Sequence, residues 1–192
     1  MMRSLLRYCL TGILTGLAGL NVHGQSPLLG LKLQDLTGRP VVMSEISKVP
    51  YSVIFFLSPG CPLCENYSLT INEMRKVFPA DQVGFVGVFS GKFYSVEEVM
   101  AYMSKYKPAV RALYDPTYQV RNVLGATVTP EVYLVNRQGQ VLYSGKIDNW
   151  IPALGKKRTI ITEFYLRDAL TAVLQGKPVP VAHVDAIGCF IE

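Results

Sequence analysis

Two cysteines three residues apart, in the segment Cys61-Pro62-Leu63-Cys64, have the type and spacing that most clearly allow chemistry. An apolar run over residues 52–57, typical of a buried strand, precedes them, and a segment with helical periodicity follows. We therefore expect Cys61 in the first turn of a helix, where unpaired backbone N–H groups and the helix dipole favour a thiolate. Cys64 would lie one turn further along the same face. Two sulfurs at this spacing can form and open a disulfide with little backbone movement, which predicts dithiol–disulfide exchange.

The tail, residues 181–192, contains another cysteine near the end of the chain. Cys189 allows two interpretations: a third redox thiol that folds back and competes for Cys61, or a small buried side chain in an apolar cluster. Ordering a terminus costs conformational entropy, which apolar packing can offset. Three apolar side chains in the tail therefore favour docking on the domain: Ile187, Phe190 and Ile191.

The same tail also allows a metal site. If it reaches the cysteine pair, four side chains could bind zinc or cuprous copper: Cys61, Cys64, His183 and Cys189. A metal-binding or metal-delivery protein is therefore an alternative to the redox enzyme. The redox enzyme itself is expected to need no cofactor and no metal.

The first 24 residues have the features of a secretory signal. Arg3 and Arg7 form a basic start, residues 9–20 are mostly apolar, and small residues near position 24 offer a cleavage point. The apolar run is shorter than a membrane-spanning helix normally requires. We expect cleavage and a periplasmic or secreted location, with membrane contact only if the signal stays uncleaved.

Length, charge and cysteine count limit the function classes open to the rest of the chain. The 192-residue sequence has a formal net charge of +5, which falls by two when Arg3 and Arg7 are removed with the signal. This modest charge gives no support for a nucleic-acid partner. Residues 25–180 suffice for one domain with its own core. Cys9 is also removed, and the odd number of remaining cysteines suggests a reactive thiol in an exported protein.

Strand and helix patterns alternate along the chain after the signal. The order β-α-β-α-β-α-β-β-α predicts an α/β fold with a mixed central sheet flanked by helices on both faces. The predicted elements are a leading hairpin over 31–43, a strand over 52–57, a helix over 62–78, a strand over 83–89, a helix opened by a Ser95/Glu98 capping box, a strand over 110–114, a short helix with Asp115 as N-cap and Pro116 at its first position, a hairpin of strands 131–136 and 141–145, and a helix over 162–175.

The strand, the Cys61–Cys64 segment and its helix, followed by Thr129-Pro130 before a hairpin and by a terminal helix, resemble the thioredoxin fold. Two further features resemble the redoxin branch of this fold, which includes AhpC/TSA-type and extracytoplasmic thioredoxin-like proteins. They are a β-α insertion, the extra strand and helix before Pro130, and the sequence motif at residues 33–38. The resemblance covers roughly residues 28–175. It implies that Pro130 is cis and lies against the sulfurs, which leaves the Thr129 backbone free to pair with an extended substrate.

Site roles follow from this resemblance. Cys61 would attack as the thiolate, Cys64 would resolve the mixed disulfide, and Pro130 would complete the catalytic set. The supporting residues would be Pro62, Thr129, Glu131 and Cys189. The implied function is an exported thiol–disulfide oxidoreductase that acts on protein disulfides or dithiols and exchanges electrons with an upstream donor or acceptor.

The sequence also departs from the family pattern near the cysteines. Many thioredoxins have a buried acidic or amide residue six positions before the first cysteine, and here that residue is Phe55. Glu65 or Glu131 would then accept the proton of the second thiol, or no residue does.

Peroxidatic redoxins carry a Pro-x-x-x-Thr-x-x-Cys motif. This chain has Ile54 and Ser58 at the proline and threonine positions. An antioxidant, peroxiredoxin-like peroxidase using Cys61 is therefore a less favoured alternative.

Overall fold

Residues 26–192 are described by the computed structural model, and the predicted signal over 1–24 lies outside the described residues. Four α-helices are present in this part of the chain: α1 Pro62–Val77, α2 Val96–Tyr106, α3 Gln119–Leu124 and α4 Tyr165–Leu174. Its strands are β1 Lys32–Asp35, β2 Pro40–Val42, β3 Tyr51–Phe56, β4 Val83–Ser90, β5 Arg111–Asp115, β6 Val128–Thr129, β7 Glu131–Asn136, β8 Val141–Gly145, β9 His183–Val184 and β10 Cys189–Phe190. Short 3-10 helices span Pro27–Gly30 and Met43–Lys48.

Eight of these strands form one sheet in the order β2-β1-β5-β4-β3-β7-β8-β9. β4 pairs in parallel with β3 and β5, whereas β7 pairs antiparallel with β3 and β8. The predicted mixed sheet is therefore confirmed. No helix among residues 26–192 is long and apolar enough to cross a membrane.

The central strand β3 is buried on both faces. Val53 and Phe55 belong to one apolar cluster, and Ile54 and Phe56 belong to the other, as the two-residue period of a strand requires. Helices α1, α2 and α4 contribute to the first cluster, while α3 and both 3-10 helices contribute to the second. Helices on both faces of the sheet were predicted, and this is confirmed.

Helix α1 follows directly from its sequence. Pro62 occupies the first helical position, where a missing N–H is harmless. The buried face recurs every three or four residues, at Cys64, Tyr67, Ser68, Ile71 and Met74. Near the last turn, Arg75 donates a 2.6 Å hydrogen bond to the Val83 carbonyl, which ties the helix end to the start of β4.

Two predicted helix starts are wrong. The fully buried Asp115 ends β5 and does not cap a helix beginning at Pro116. Its carboxylate instead accepts N–H bonds from Gln119 (2.8 Å) and Val120 (3.0 Å), so it caps α3 from four residues upstream. Helix α4 begins at Tyr165 because Thr162 is held by Asn149: the Thr162 N–H donates to Asn149 Oδ1, and the Asn149 amide donates to Thr162 Oγ1.

The tail forms two short strands that were not predicted. β9 extends the large sheet by pairing in parallel with β8, with His183 opposite Ser144 and Val184 opposite Gly145. β10 pairs antiparallel with β6 and forms a separate two-stranded sheet. Two-residue strands have too few positions to show an alternating pattern.

Candidate active site

Cys61 is the residue that caps the N-terminus of α1. A turn follows β3 and contains Gly60, whose φ of 74° lies in the left-handed region that glycine adopts without strain. The Cys61 carbonyl accepts the Glu65 N–H at 3.1 Å and so begins the helix. The Cys61 sulfur therefore lies at the positive end of the α1 dipole, as expected.

The disulfide in this structure joins Cys61 to Cys189, with the two Cα atoms 6.3 Å apart. Cys64 is a free, buried thiol. The bond is thus not the Cys61–Cys64 pair that the spacing suggested. The structure puts Cys189 where the third-thiol interpretation requires it, and its redox role stays a prediction.

Backbone pairing brings the tail to Cys61. Cys189 lies opposite Thr129, and Phe190 lies opposite Val128. The Ile191 N–H donates to the Thr127 carbonyl at 3.0 Å, one step further along the same edge. Cys61 Sγ itself lies 3.3 Å from the Thr129 carbonyl oxygen. The tail therefore covers the cysteine, and only 3% of Cys61 is exposed.

Tail side chains also pack on both sides of the sheet. Ile187 and Cys189 contact the cluster that contains α1, and Ile191 contacts the opposite cluster. At the chain end, the Tyr118 hydroxyl donates to the Glu192 carbonyl at 2.6 Å.

Cys64 lies in an environment that keeps its thiol protonated. Full burial raises the pKa of Cys64 to about 12, and the negative charge of Glu65 adds to this rise. The hydroxyls of Ser68 and Tyr102 both donate to the Cys64 carbonyl at 3.0 Å, which satisfies the backbone behind the thiol. Without a base or a conformational change, this thiol is a weak nucleophile near neutral pH.

The loop before β7 carries the other expected site residues. The Thr129–Pro130 peptide bond is cis. The Glu131 carboxylate is buried and accepts the N–H groups of Thr127 (2.9 Å) and Val128 (3.3 Å) and the Tyr133 hydroxyl (2.9 Å). Its hydrogen bonds thus hold the edge that pairs with the tail, so Glu131 is a positioning residue in this structure. Proton transfer from Cys64 to Glu131 has no supporting hydrogen bond here.

His183 is not brought to the cysteines as a metal ligand. Its Nδ1 lies 2.8 Å from Ser144 Oγ, and its Nε2 lies 3.0 Å from Asp185 Oδ1. In residues 26–192, no group of three or more His, Cys, Asp or Glu side chains is arranged to hold a metal ion. The structure therefore does not assemble the four-ligand set formed by Cys61, Cys64, His183 and Cys189.

A cleft of about 450 Å³ lies beside the disulfide and was not foreseen from the sequence. One wall is formed by the turn before Cys61, and another by aromatic side chains from α2 and the segment before it. The lining residues that define these walls are Pro59, Gly60, Phe93, Tyr94, Tyr102 and Tyr106, and Thr129 from β6 and Phe190 from the tail complete the lining. Three tyrosines, Tyr94, Tyr102 and Tyr106, lie close together in the sequence, and this clustering is a signal that could have indicated the cleft.

Comparisons with known proteins agree with this architecture. The chain is 28% identical to a hypothetical protein from Sinorhizobium meliloti, with a TM-score of 0.73 over 84% of this chain and 89% of that one. It is 25% identical to an uncharacterized conserved protein from Geobacillus kaustophilus, with a TM-score of 0.75 over 90% and 93% of the two chains. Comparison with curated proteins gives no match.

A more distant structural match is to a secreted disulfide oxidoreductase from Mycobacterium tuberculosis. The two chains are 19% identical, with a TM-score of 0.51 over 59% of this chain and 81% of that one, which shows a shared fold. The family model described as Redoxin matches residues 24–152, a span that includes Cys61, Cys64 and Pro130. The expected thioredoxin-like fold is thus confirmed, and this chain belongs to the Redoxin family.

Proposed function

We propose that this protein is an exported thiol–disulfide oxidoreductase in which Cys61 exchanges with protein substrates. The observation that carries the proposal is the state of the three cysteines: Cys61, at the start of α1, is bonded to Cys189, while Cys64 is a free thiol one turn away. Dithiol–disulfide exchange requires an attacking cysteine and a resolving cysteine, and Cys61 has two candidates for the resolving one.

The exchange begins from reduced Cys61. Its thiolate attacks one sulfur of a substrate disulfide, a bond forms between Cys61 and that sulfur, and the other substrate sulfur leaves as a thiolate. A second cysteine thiolate of this protein then attacks Cys61 Sγ, and the substrate is released with both sulfurs reduced. The protein now carries one disulfide. A separate electron donor returns it to the dithiol, or the same steps run in reverse with an acceptor.

Cys64 and Cys189 both qualify as the second cysteine. Cys189 is half-buried and is already bonded to Cys61, whereas Cys64 is enclosed and has a strongly raised pKa. We therefore assign the first resolving step to Cys189, with Cys64 as a second partner for Cys61. Pro130, Thr129, Glu131 and Pro62 keep positioning roles around this exchange.

Two observations support export. Residues 1–24 have the pattern of a cleavable signal, and one protein of the same fold is described as a secreted disulfide oxidoreductase. A periplasmic or secreted location would also let the Cys61–Cys189 disulfide persist.

The test is reduction of a disulfide-bonded test protein by a thiol donor. Cys61→Ser should lower the rate at least about a hundredfold, because the attacking thiolate is removed. Leu69→Ala is the matched control, since Leu69 lies on α1 but is 72% exposed, and it should keep the rate. An undiminished rate in Cys61→Ser would contradict the proposal.

The same preparation separates the two alternatives. Stoichiometric copper or zinc after aerobic purification would favour metal delivery. Consumption of hydroperoxide that depends on Cys61 and on a thiol donor would favour a peroxidase. Neither is expected.

A further inference from the structure

The C-terminal strand meets the β6 edge at a position where only glycine fits. A Cβ atom on Gly188 would overlap the Thr129 carbonyl oxygen and would lie 2.6 Å from its carbon and 3.1 Å from the Thr129 nitrogen. All three atoms belong to the backbone, so no side-chain rotation relieves the overlap. Any residue with a Cβ atom at position 188 would push strand β10 away from the β6 edge and from Cys61.

The residue after the cysteine is under no such limit. The Phe190 side chain is 76% exposed and borders the open aromatic cleft beside the site. The two positions that flank Cys189 therefore differ. The position before it has no room for a Cβ atom, whereas the side chain at the position after it extends into solvent.

We infer that the Val128–Thr129 edge, where the family resemblance already places an extended substrate, selects protein segments in which glycine directly precedes the reactive cysteine. This inference rests on the proposed function and names the substrate class of the same site. Residues Ile187–Ile191 of the tail occupy the edge as such a segment would. Backbone pairing with β6 binds the segment, and the close approach at Gly188 restricts the residue before the cysteine to glycine.

Substrate and tail then compete for one edge. When Cys61–Cys189 opens, β10 can leave β6 while β9 stays paired with β8, because the two pairings use different residues. Gly145 provides a second close approach at the β9 pairing: a Cβ there would overlap the Val184 carbonyl. The tail is tethered beside the edge and competes with substrates at a high effective concentration. A substrate segment must therefore fit the edge at least as well as the tail does.

The first experiment measures docking of a segment supplied in trans. Full-length protein with Cys64→Ser and Cys189→Ser is converted to the Cys61–glutathione mixed disulfide. A peptide thiolate attacks Cys61 Sγ, so that a Cys61–peptide bond forms and glutathione leaves as its thiolate. The peptides are the sequence of residues 186–192, an analogue with alanine at the glycine position, and an analogue with alanine at the phenylalanine position.

The glycine peptide should release glutathione at least about tenfold faster than the alanine-for-glycine analogue, because the clash can be relieved only by backbone movement. The alanine-for-phenylalanine analogue should stay within about threefold, since that side chain is exposed. Rates are normalised to the reaction of each peptide with oxidised glutathione. Equal rates for the glycine peptide and its alanine analogue would overturn the inference.

The second experiment uses the chain's own tail. In glutathione redox buffers, Gly188→Ala should lower the equilibrium constant for the Cys61–Cys189 bond at least about tenfold. Gly30→Ala is the matched control, because no atom lies within 4 Å of its Cβ position, and it should leave the constant unchanged. An unchanged constant in Gly188→Ala would also overturn the inference.

The two failures are distinguishable. If the Cys61–glutathione adduct exchanges with no thiol, including dithiothreitol, then the proposed function fails. If it exchanges with dithiothreitol and with all peptides at similar rates, the function stands and only the glycine selection is wrong.

Discussion

Cys64 and Cys189 are the two proposed partners of the Cys61 sulfur, and their surroundings differ. Cys64 lies three residues from Cys61 on the same helix, fully buried. Cys189 is separated from Cys61 by 128 residues and lies half-buried on a two-residue strand. The local partner cannot leave Cys61, because the helix holds both; the distant partner stays only while the strand is docked. We therefore call Cys64 the permanent partner and Cys189 the removable partner.

Backbone pairing and the apolar packing of Ile187 and Ile191 together hold the tail that carries Cys189. The Ser144 N–H donates to the Ala182 carbonyl and the Lys146 N–H donates to the Val184 carbonyl, both at 3.0 Å. Short terminal pairings of this kind open at low free-energy cost compared with core strands. The disulfide therefore adds a covalent link to a segment whose backbone pairings are short.

The comparison predicts a large difference in thiol reactivity, measurable within one protein. In Cys61→Ser, both remaining cysteines are free thiols. At pH 7, iodoacetamide should modify the half-buried Cys189 at least about a hundredfold faster than Cys64, because full burial raises the pKa of Cys64 to about 12 and leaves very little thiolate.

The pH dependence fixes the cause of that difference. The Cys64 rate should rise about tenfold for each pH unit between 7 and 10, because its pKa is raised to about 12 and its thiolate fraction grows throughout this range. Peptide mapping by mass spectrometry gives both rates. A Cys64 rate equal to that of Cys189 would remove the contrast.

A smaller effect is expected on stability. The Cys61–Cys189 bond closes a loop of 128 residues in sequence, so Cys189→Ser should lower the free energy of unfolding by about 2–4 kcal/mol in oxidising buffer. Denaturant unfolding followed by circular dichroism measures this change. A Cys61–Cys64 bond in the variant could replace little of it, since its loop is very short.

Cys64→Ser is the control, because it removes the other partner and leaves the long loop closed. Its unfolding should remain sensitive to reductant, whereas that of Cys189→Ser should become nearly insensitive. Equal sensitivity in the two variants would mean that the long-range disulfide is not the one that stabilises the chain.

Local sequence patterns predicted where Cys64 lies, but not how the tail that carries Cys189 binds. The β3–α1 unit follows from an apolar run, a turn and a helical period, and the hairpin of β7 and β8 follows from alternation, because both depend on neighbouring residues. The β6–β10 pairing depends on residues about 60 positions apart and on a glycine whose meaning is a close backbone approach. The start of α3 was missed for a different, local reason: Asp115 ends a strand and caps the helix from four residues upstream.

The smallest predicted effect concerns the side-chain hold on the tail. His183 bridges Ser144 and Asp185, but the imidazole is more than half exposed, and exposed polar contacts contribute little to stability. His183→Ala should therefore lower the equilibrium constant for Cys61–Cys189 formation in glutathione buffers by only about two- to threefold. Val181→Ala, an exposed change two residues earlier in the same tail, is the control and should have no effect. A loss in His183→Ala as large as that expected for Gly188→Ala would show that side-chain contacts at β9 hold the removable partner, and not the backbone fit at β6.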